Sequence, residues 1–274
     1  MTTATMTFRQ RLSEASERNS SLLCVGLDPD PAEMNGRDIA DFCIAIIDAT
    51  IDLVSAYKPN LSFYEAHGSA GYAALERIVD HVNGRVPVLG DAKRNDIGNS
   101  ARFYAKGLFE TMGFDAITVN PFLGRDSLQP FLDYEDKGVF ILCRTSNPGG
   151  ADIQGLNAAF DGVPMPLYEA VAHLSNSWDT NGNIGLVTGA TYPSEAQRIR
   201  EICPDTPFLV PGVGTQGGEL ESALSATLDA EGGGVLVNSS RGILYASNGP
   251  DFADAARAAV ESLRTQIENA RSSA

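Results

Sequence analysis

The chain has 274 residues, 43% of them hydrophobic, which is enough for one large domain with a full core. No apolar run approaches the roughly 20 residues that cross a bilayer, so a helical membrane span is excluded. A formal net charge of −15 argues against a general nucleic-acid binder, which would present a basic face.

In chain order, Met1 to Arg11 is polar and has no signal-peptide stretch, so residues 1–10 are expected to be flexible and the protein cytoplasmic. The first apolar run, Leu22–Leu27, reads as a strand. An amphipathic helix over Ile39–Ile51 follows, then strand Leu53–Lys58, helix Gly71–Val82, strand Val86–Asp91 and helix Ala101–Met112. Strands Asp115–Asn120 and Val139–Cys143 come next, then helix Leu167–Trp178, strand Ile184–Val187 and helix Ser194–Cys203. Strands Phe208–Pro211 and Val235–Asn238 precede a last helix from Asp251 to about Ala270.

Near-continuous apolar strands separated by helices are those of a parallel sheet buried on both faces. About eight such βα units in roughly 250 residues fit an α/β fold, the (β/α)8 TIM barrel. It is expected as a single domain over 1–274, with its core at about 20–270. A doubly wound open sheet is the alternative, but Gly26-Leu27-Asp28-Pro29 after the first strand is not a dinucleotide fingerprint. The longest irregular segment, Thr145–Pro166, has the length of a lid or binding loop.

Charges terminate several apolar runs. Asp28 ends the first strand, Lys58 the second, and Asp91 and Lys93 the third, with Asp96 close behind. Sequential barrel strands are neighbours, so these side chains share one arc of the C-terminal rim, where barrel active sites lie. If the strand stays extended, Asp91 and Lys93 point to the same side. A lone Asp or Lys there is an ordinary polar cap. This combination is different, because it uses two of only four lysines, the others being Lys106 and Lys137. An acidic, lysine-poor surface also suggests a protein kept soluble in high salt.

Two later loops suit an anion. Pro211-Gly212-Val213-Gly214-Thr215-Gln216-Gly217-Gly218 follows the seventh strand, and Asn238-Ser239-Ser240-Arg241-Gly242 the eighth. Barrel phosphate sites commonly use these two loops. Arg241 can grip a phosphate bidentately and Gln216 can donate an amide hydrogen bond. After the fifth strand, Ser146 offers a hydroxyl to the edge of a polar heterocycle. Cys24, Cys43, Cys143 and Cys203 form no C-x-x-C pair, and the three histidines are far apart, so no metal site is expected.

Together these segments resemble the orotidine 5′-phosphate decarboxylase family. Its D-x-K-x-x-D signature stands as Asp91-Ala92-Lys93-Arg94-Asn95-Asp96. Around it, in order, lie Val25-Gly26-Leu27-Asp28, Lys58-Pro59-Asn60, Ser146-Asn147-Pro148-Gly149 and the two glycine- and arginine-bearing loops. Asn147 stands where many relatives have His, and Gly98 where many have Pro. The Lys-Pro-Asn and Asp-Ile-Gly-Asn-Ser contexts look like the longer bacterial and archaeal subgroup, type 2.

The resemblance implies cofactor-free decarboxylation of orotidine 5′-phosphate to UMP, the last step of pyrimidine biosynthesis. It implies Lys93 as proton donor to C6, Asp91 against the substrate carboxylate, and Lys58 completing the network. Asp96 would cross a homodimer interface to the neighbouring ribose, helped by Ser100. Asp28 would bind a ribose hydroxyl, Ser146 the pyrimidine, and Gln216 with Arg241 the phosphate. The rivals are another phosphate-binding barrel enzyme, such as a Mg2+-dependent sugar-phosphate decarboxylase or an epimerase, and a non-catalytic nucleotide-binding barrel.

Overall fold

The computed structural model describes residues 6–213 and 217–273, with the side chains of residues 217 and 218 left aside. Among the described residues ten strands form: β1 Leu23–Leu27, β2 Ala56–Pro59, β3 Leu89–Arg94, β4 Ala116–Val119, β5 Gly138–Arg144, β6 Asn157–Phe160, β7 Val163–Pro166, β8 Ile184–Thr188, β9 Phe208–Pro211 and β10 Val235–Ser239. Eight of them make one parallel sheet in the order β2-β1-β10-β9-β8-β5-β4-β3. Bridges Tyr57↔Val88 and Asn60↔Asp91 join β2 to β3 and close the sheet into a barrel. The barrel expectation holds, and the open-sheet alternative does not.

Each barrel strand sends one residue into a shared inner layer: Cys24, Ala56, Leu89, Ala116, Phe140, Val187, Leu209 and Leu236. Alternate residues such as Leu23, Val25, Ile117, Val139 and Ile141 face the surrounding helices. This two-sided burial is why the strands read as unbroken apolar runs. Gly185 leaves room for the Phe140 ring, since a Cβ there would lie 2.5 Å from it. All four cysteines are free and buried.

Of the 1–10 segment expected to be flexible, residues 1–5 lie outside the described residues and Phe8–Gln10 are helical. A helix over Phe8–Asn19 begins at a capping box, in which Thr7 and Gln10 exchange side-chain and backbone hydrogen bonds. Phe8 is buried and packs edge-on against Phe140, with ring centroids 5.7 Å apart. A Cβ on Gly138 would lie 2.6 Å from Phe8, so the glycine at the start of β5 admits this ring. The helix thus plugs the barrel at the end where its strands begin.

The 145–166 segment is also more ordered than its composition suggests. It holds a short helix, Ala151–Gln154, and the antiparallel hairpin β6–β7. Asp161 and Gly162 turn the hairpin with φ of 48° and 80°, the left-handed pair that a two-residue type I′ turn requires. The Phe160 ring stacks on His173 at 5.1 Å.

Candidate active site

Side chains alternate along a strand, so positions two residues beyond the inner layer return to the barrel interior nearer its C-terminal mouth. Those positions include Lys58, Asp91, Thr118 and Asn238. Barrel closure brings the first three together. Lys58 Nζ lies 3.1 Å from Asp91 Oδ2, and Lys93 Nζ lies 2.6 Å from Asp91 Oδ1. Thr118 donates its hydroxyl to Asp91 Oδ1 at 2.8 Å.

The local chain path differs from the extended strand expected of Asp91-Ala92-Lys93. The register of β3 against β4 shifts between Gly90 and Arg94. Lys93 is left-handed, with φ of 49°, a conformation uncommon for a residue with a Cβ. The two side chains meet because the strand bulges, and not because alternation continues.

Burial separates the two lysines. The Lys58 side chain is 5% exposed and that of Lys93 is 48% exposed. Burial alone would lower the Lys58 pKa, but Asp91 and Asp28 hold it above its ordinary value. Burial likewise raises the Asp91 pKa, but Lys58, Lys93 and the hydroxyl of Thr118 outweigh it and bring the carboxyl down to about 2. The array is therefore a buried carboxylate between two ammonium groups, of which one is sealed and the other reaches the mouth.

Asp28 is half-buried at the end of β1, and its Oδ1 accepts the Asn60 N–H at 3.2 Å. Tyr245, which the sequence did not single out, donates its hydroxyl to the Asp28 carbonyl at 2.9 Å. A cleft of about 680 Å³ opens here, lined by Asp28, Gly212, Asn238, Ser240 and Arg241 among others. Among the described residues, Oδ1 of buried Asn238 has no hydrogen-bond partner. Arg241 is exposed and begins a short helix, Arg241–Leu244. Gln216 lies outside the described residues.

Ser146 is half-buried, wedged between the loops after β8 and β9. A Cβ on Gly189 would lie 2.7 Å from its backbone, and one on Gly212 would lie 3.1 Å from its Cβ. Arg144, also unmarked by its sequence pattern, anchors this loop from within. It is buried, pairs with Glu195, donates to the Thr145 carbonyl at 3.1 Å and stacks over the Tyr192 ring at 3.8 Å.

Asp96 and Ser100 stand apart. The Asp96 carboxylate accepts the Ile97 N–H at 2.7 Å. Among the described residues, it is outside the hydrogen bonds of the Lys58–Asp91–Lys93 array. It shares a shallow surface groove with Asn99, Ser100, Phe103 and Tyr104.

A family model described as "Orotidine 5'-phosphate decarboxylase / HUMPS family" matches residues 21–257. The chain belongs to the orotidine 5′-phosphate decarboxylase / HUMPS family. Within that family it is similar to the orotidine 5′-phosphate decarboxylase of Roseiflexus castenholzii, with 50% identity over 272 residues, 97% of this chain and 98% of the relative. The decarboxylase of Verminephrobacter eiseniae is 49% identical over 277 residues, covering 97% of this chain and all of its own. The solved structure of Leishmania donovani OMP decarboxylase superposes with a TM-score of 0.87 at 42% identity, covering 98% of this chain and 100% of that one.

Proposed function

We propose that this chain is an orotidine 5′-phosphate decarboxylase, converting orotidine 5′-phosphate to UMP and CO2 without a cofactor as the last step of UMP biosynthesis. The carrying observation is the buried Asp91 carboxylate held between Lys58 and Lys93 at 3.1 and 2.6 Å. Near-full-length similarity to curated decarboxylases narrows the two activities joined in the family's name.

Breaking the C6–CO2 bond leaves its electron pair on C6, in the plane of the ring, where the ring cannot delocalise it. The site must then stabilise that charge electrostatically. A unit charge pair at 4 Å is worth about 4 kcal/mol at an effective dielectric of 20, or roughly three powers of ten in rate. Lys93 is the better donor of the two lysines. Its ammonium is tethered to Asp91 on a half-exposed side chain, protonates C6 as CO2 leaves, and can regain a proton from solvent. Asp91, charged at neutral pH, opposes the substrate carboxylate, a repulsion relieved when CO2 departs. The remaining barrier reduction comes from phosphate and ribose binding that fixes the ring against the array.

In the same reading Asp28 binds the ribose, Ser146 the pyrimidine edge, and Arg241 with Gln216 the phosphate. Asp96 and Ser100 serve the neighbouring site of a homodimer. The separation of Asp96 from its own array supports that division, as do the exposed Ile97, Phe103, Tyr104, Phe122 and Leu123 on two consecutive βα units. The protein is cytoplasmic, belongs to the type 2 subgroup, and is adapted to salt.

The test is incubation of purified protein with orotidine 5′-phosphate, with and without EDTA. UMP is expected to form at the same rate in both, and Lys93→Ala is expected to abolish turnover while still binding UMP. Dependence on added Mg2+, or near-normal kcat in Lys93→Ala, would overturn the proposal.

A further inference from the structure

The register of β3 against β4 pairs Gly90 with Ile117 and Arg94 with Val119. Asp91, Ala92 and Lys93 therefore all lie opposite one residue, Thr118. Such a bulge removes regular ladder partners, and a buried N–H left without one is costly. Thr118 is 1% exposed and takes the missing role with its side chain. Its Oγ1 accepts the Lys93 N–H at 2.9 Å and donates its own proton to Asp91 Oδ1 at 2.8 Å.

A hydroxyl has one proton to give and lone pairs to receive. Here both capacities are used on the two groups that carry the chemistry. The accepted hydrogen bond holds the backbone of Lys93 in its left-handed conformation, which otherwise disfavours a side-chain-bearing residue. The donated one fixes the carboxylate oxygen that also receives Lys93 Nζ. Thr118 thus sets both ends of the Lys93 side chain, its root at the backbone and its tip at Asp91.

We infer that Thr118 is a positioning residue for decarboxylation, acting through the bulge at Asp91–Lys93 and not by touching substrate. The inference rests on the reading of Lys93 and Asp91 as the reacting array. Thr118→Val keeps the shape and removes both hydrogen bonds, one of them to a charged group. The expected result is a loss of about 10- to 100-fold in kcat with KM and UMP affinity within about 3-fold. Thr118→Ser restores the hydroxyl and is expected to keep kcat within about 3-fold of the parent.

The experiment measures kcat, KM and UMP affinity for both variants beside Lys93→Ala. Unchanged kcat in Thr118→Val overturns the inference, as does a loss confined to KM or shared equally by Thr118→Ser. If Thr118→Val does not fold, Thr118→Ser alone decides, and a loss of more than about 10-fold in its kcat overturns the inference. Turnover surviving in Lys93→Ala would instead bring down the functional reading, so the two failures are distinguishable.

Discussion

At the scale of residues, Asp91 is the carboxylate that both Lys58 and Lys93 pair with. Its carboxyl is brought from the ordinary 3.8 to about 2, against the opposing effect of burial. A folded pKa below the unfolded one means the stabilisation is complete above about pH 4 and vanishes as pH falls toward 2. The shift corresponds to about 2 kcal/mol. Chemical denaturation between pH 5 and pH 2 is therefore expected to show a steeper loss of stability for the parent than for Asp91→Asn. Parallel curves would show that Asp91 does not titrate with folding. At neutral pH Asp91→Asn is expected to be the less stable of the two, since it leaves the buried Lys58 ammonium without its counter-charge. The types of these residues were legible before any fold was known. Their contacts were not, because Lys58 and Asp91 are 33 positions apart and meet only across the β2–β3 closure.

Among elements, the barrel strands were the most legible and the chain start the least. Strand β2 lies at Ala56–Pro59, a few residues later than the apolar run Leu53–Lys58 suggested. Leu53 and Val54 are buried in the preceding turn, so hydrophobicity alone did not mark the boundary. The hairpin β6–β7 carried a readable sign in Asp161-Gly162, but its flanks alternate weakly and are largely exposed. The Phe8–Asn19 helix is mostly polar, and its role depends on two residues, Phe8 and Leu12, that reach the inner layer. Phe8→Ala is expected to lower stability by about 3 kcal/mol, the size of a buried aromatic truncation. Activity should be unchanged below the unfolding transition, because Phe8 lies at the opposite end of the barrel from Lys93. A urea titration beside a kcat measurement checks this, and an unchanged urea midpoint would remove the helix from the core.

For the whole molecule, charge and exposed apolar surface make separate demands. Phe103 is 64% exposed and lines the groove that holds Asp96, and Phe122, 78% exposed, belongs to the next βα unit. On the shared-site proposal, Phe122→Asp is expected to shift the protein from dimer to monomer in sedimentation and to lower kcat, because each array would lose the Asp96 of its neighbour. A monomeric parent with full activity would end the shared-site proposal. The net charge of −15 repels itself most at low ionic strength, since the screening length falls from about 10 Å at 0.1 M salt to about 3 Å at 1 M. The thermal midpoint is expected to rise between 0.1 and 1 M KCl. A flat or falling midpoint would rule out salt adaptation.

Taken by itself, the sequence determined which runs supply the barrel strands, that these are buried on both faces, and which charges stand at their C-terminal ends. Periodicity and residue type are local properties, readable along the chain. Only the tertiary structure decided the closure between β2 and β3, the left-handed Lys93, the hydroxyl of Thr118 beneath it, the clamp of Tyr245 on Asp28 and the burial of Arg144. Those features depend on cross-strand register and on partners far away in sequence. A single shifted register changes which side chains meet while leaving the apolar pattern as it was.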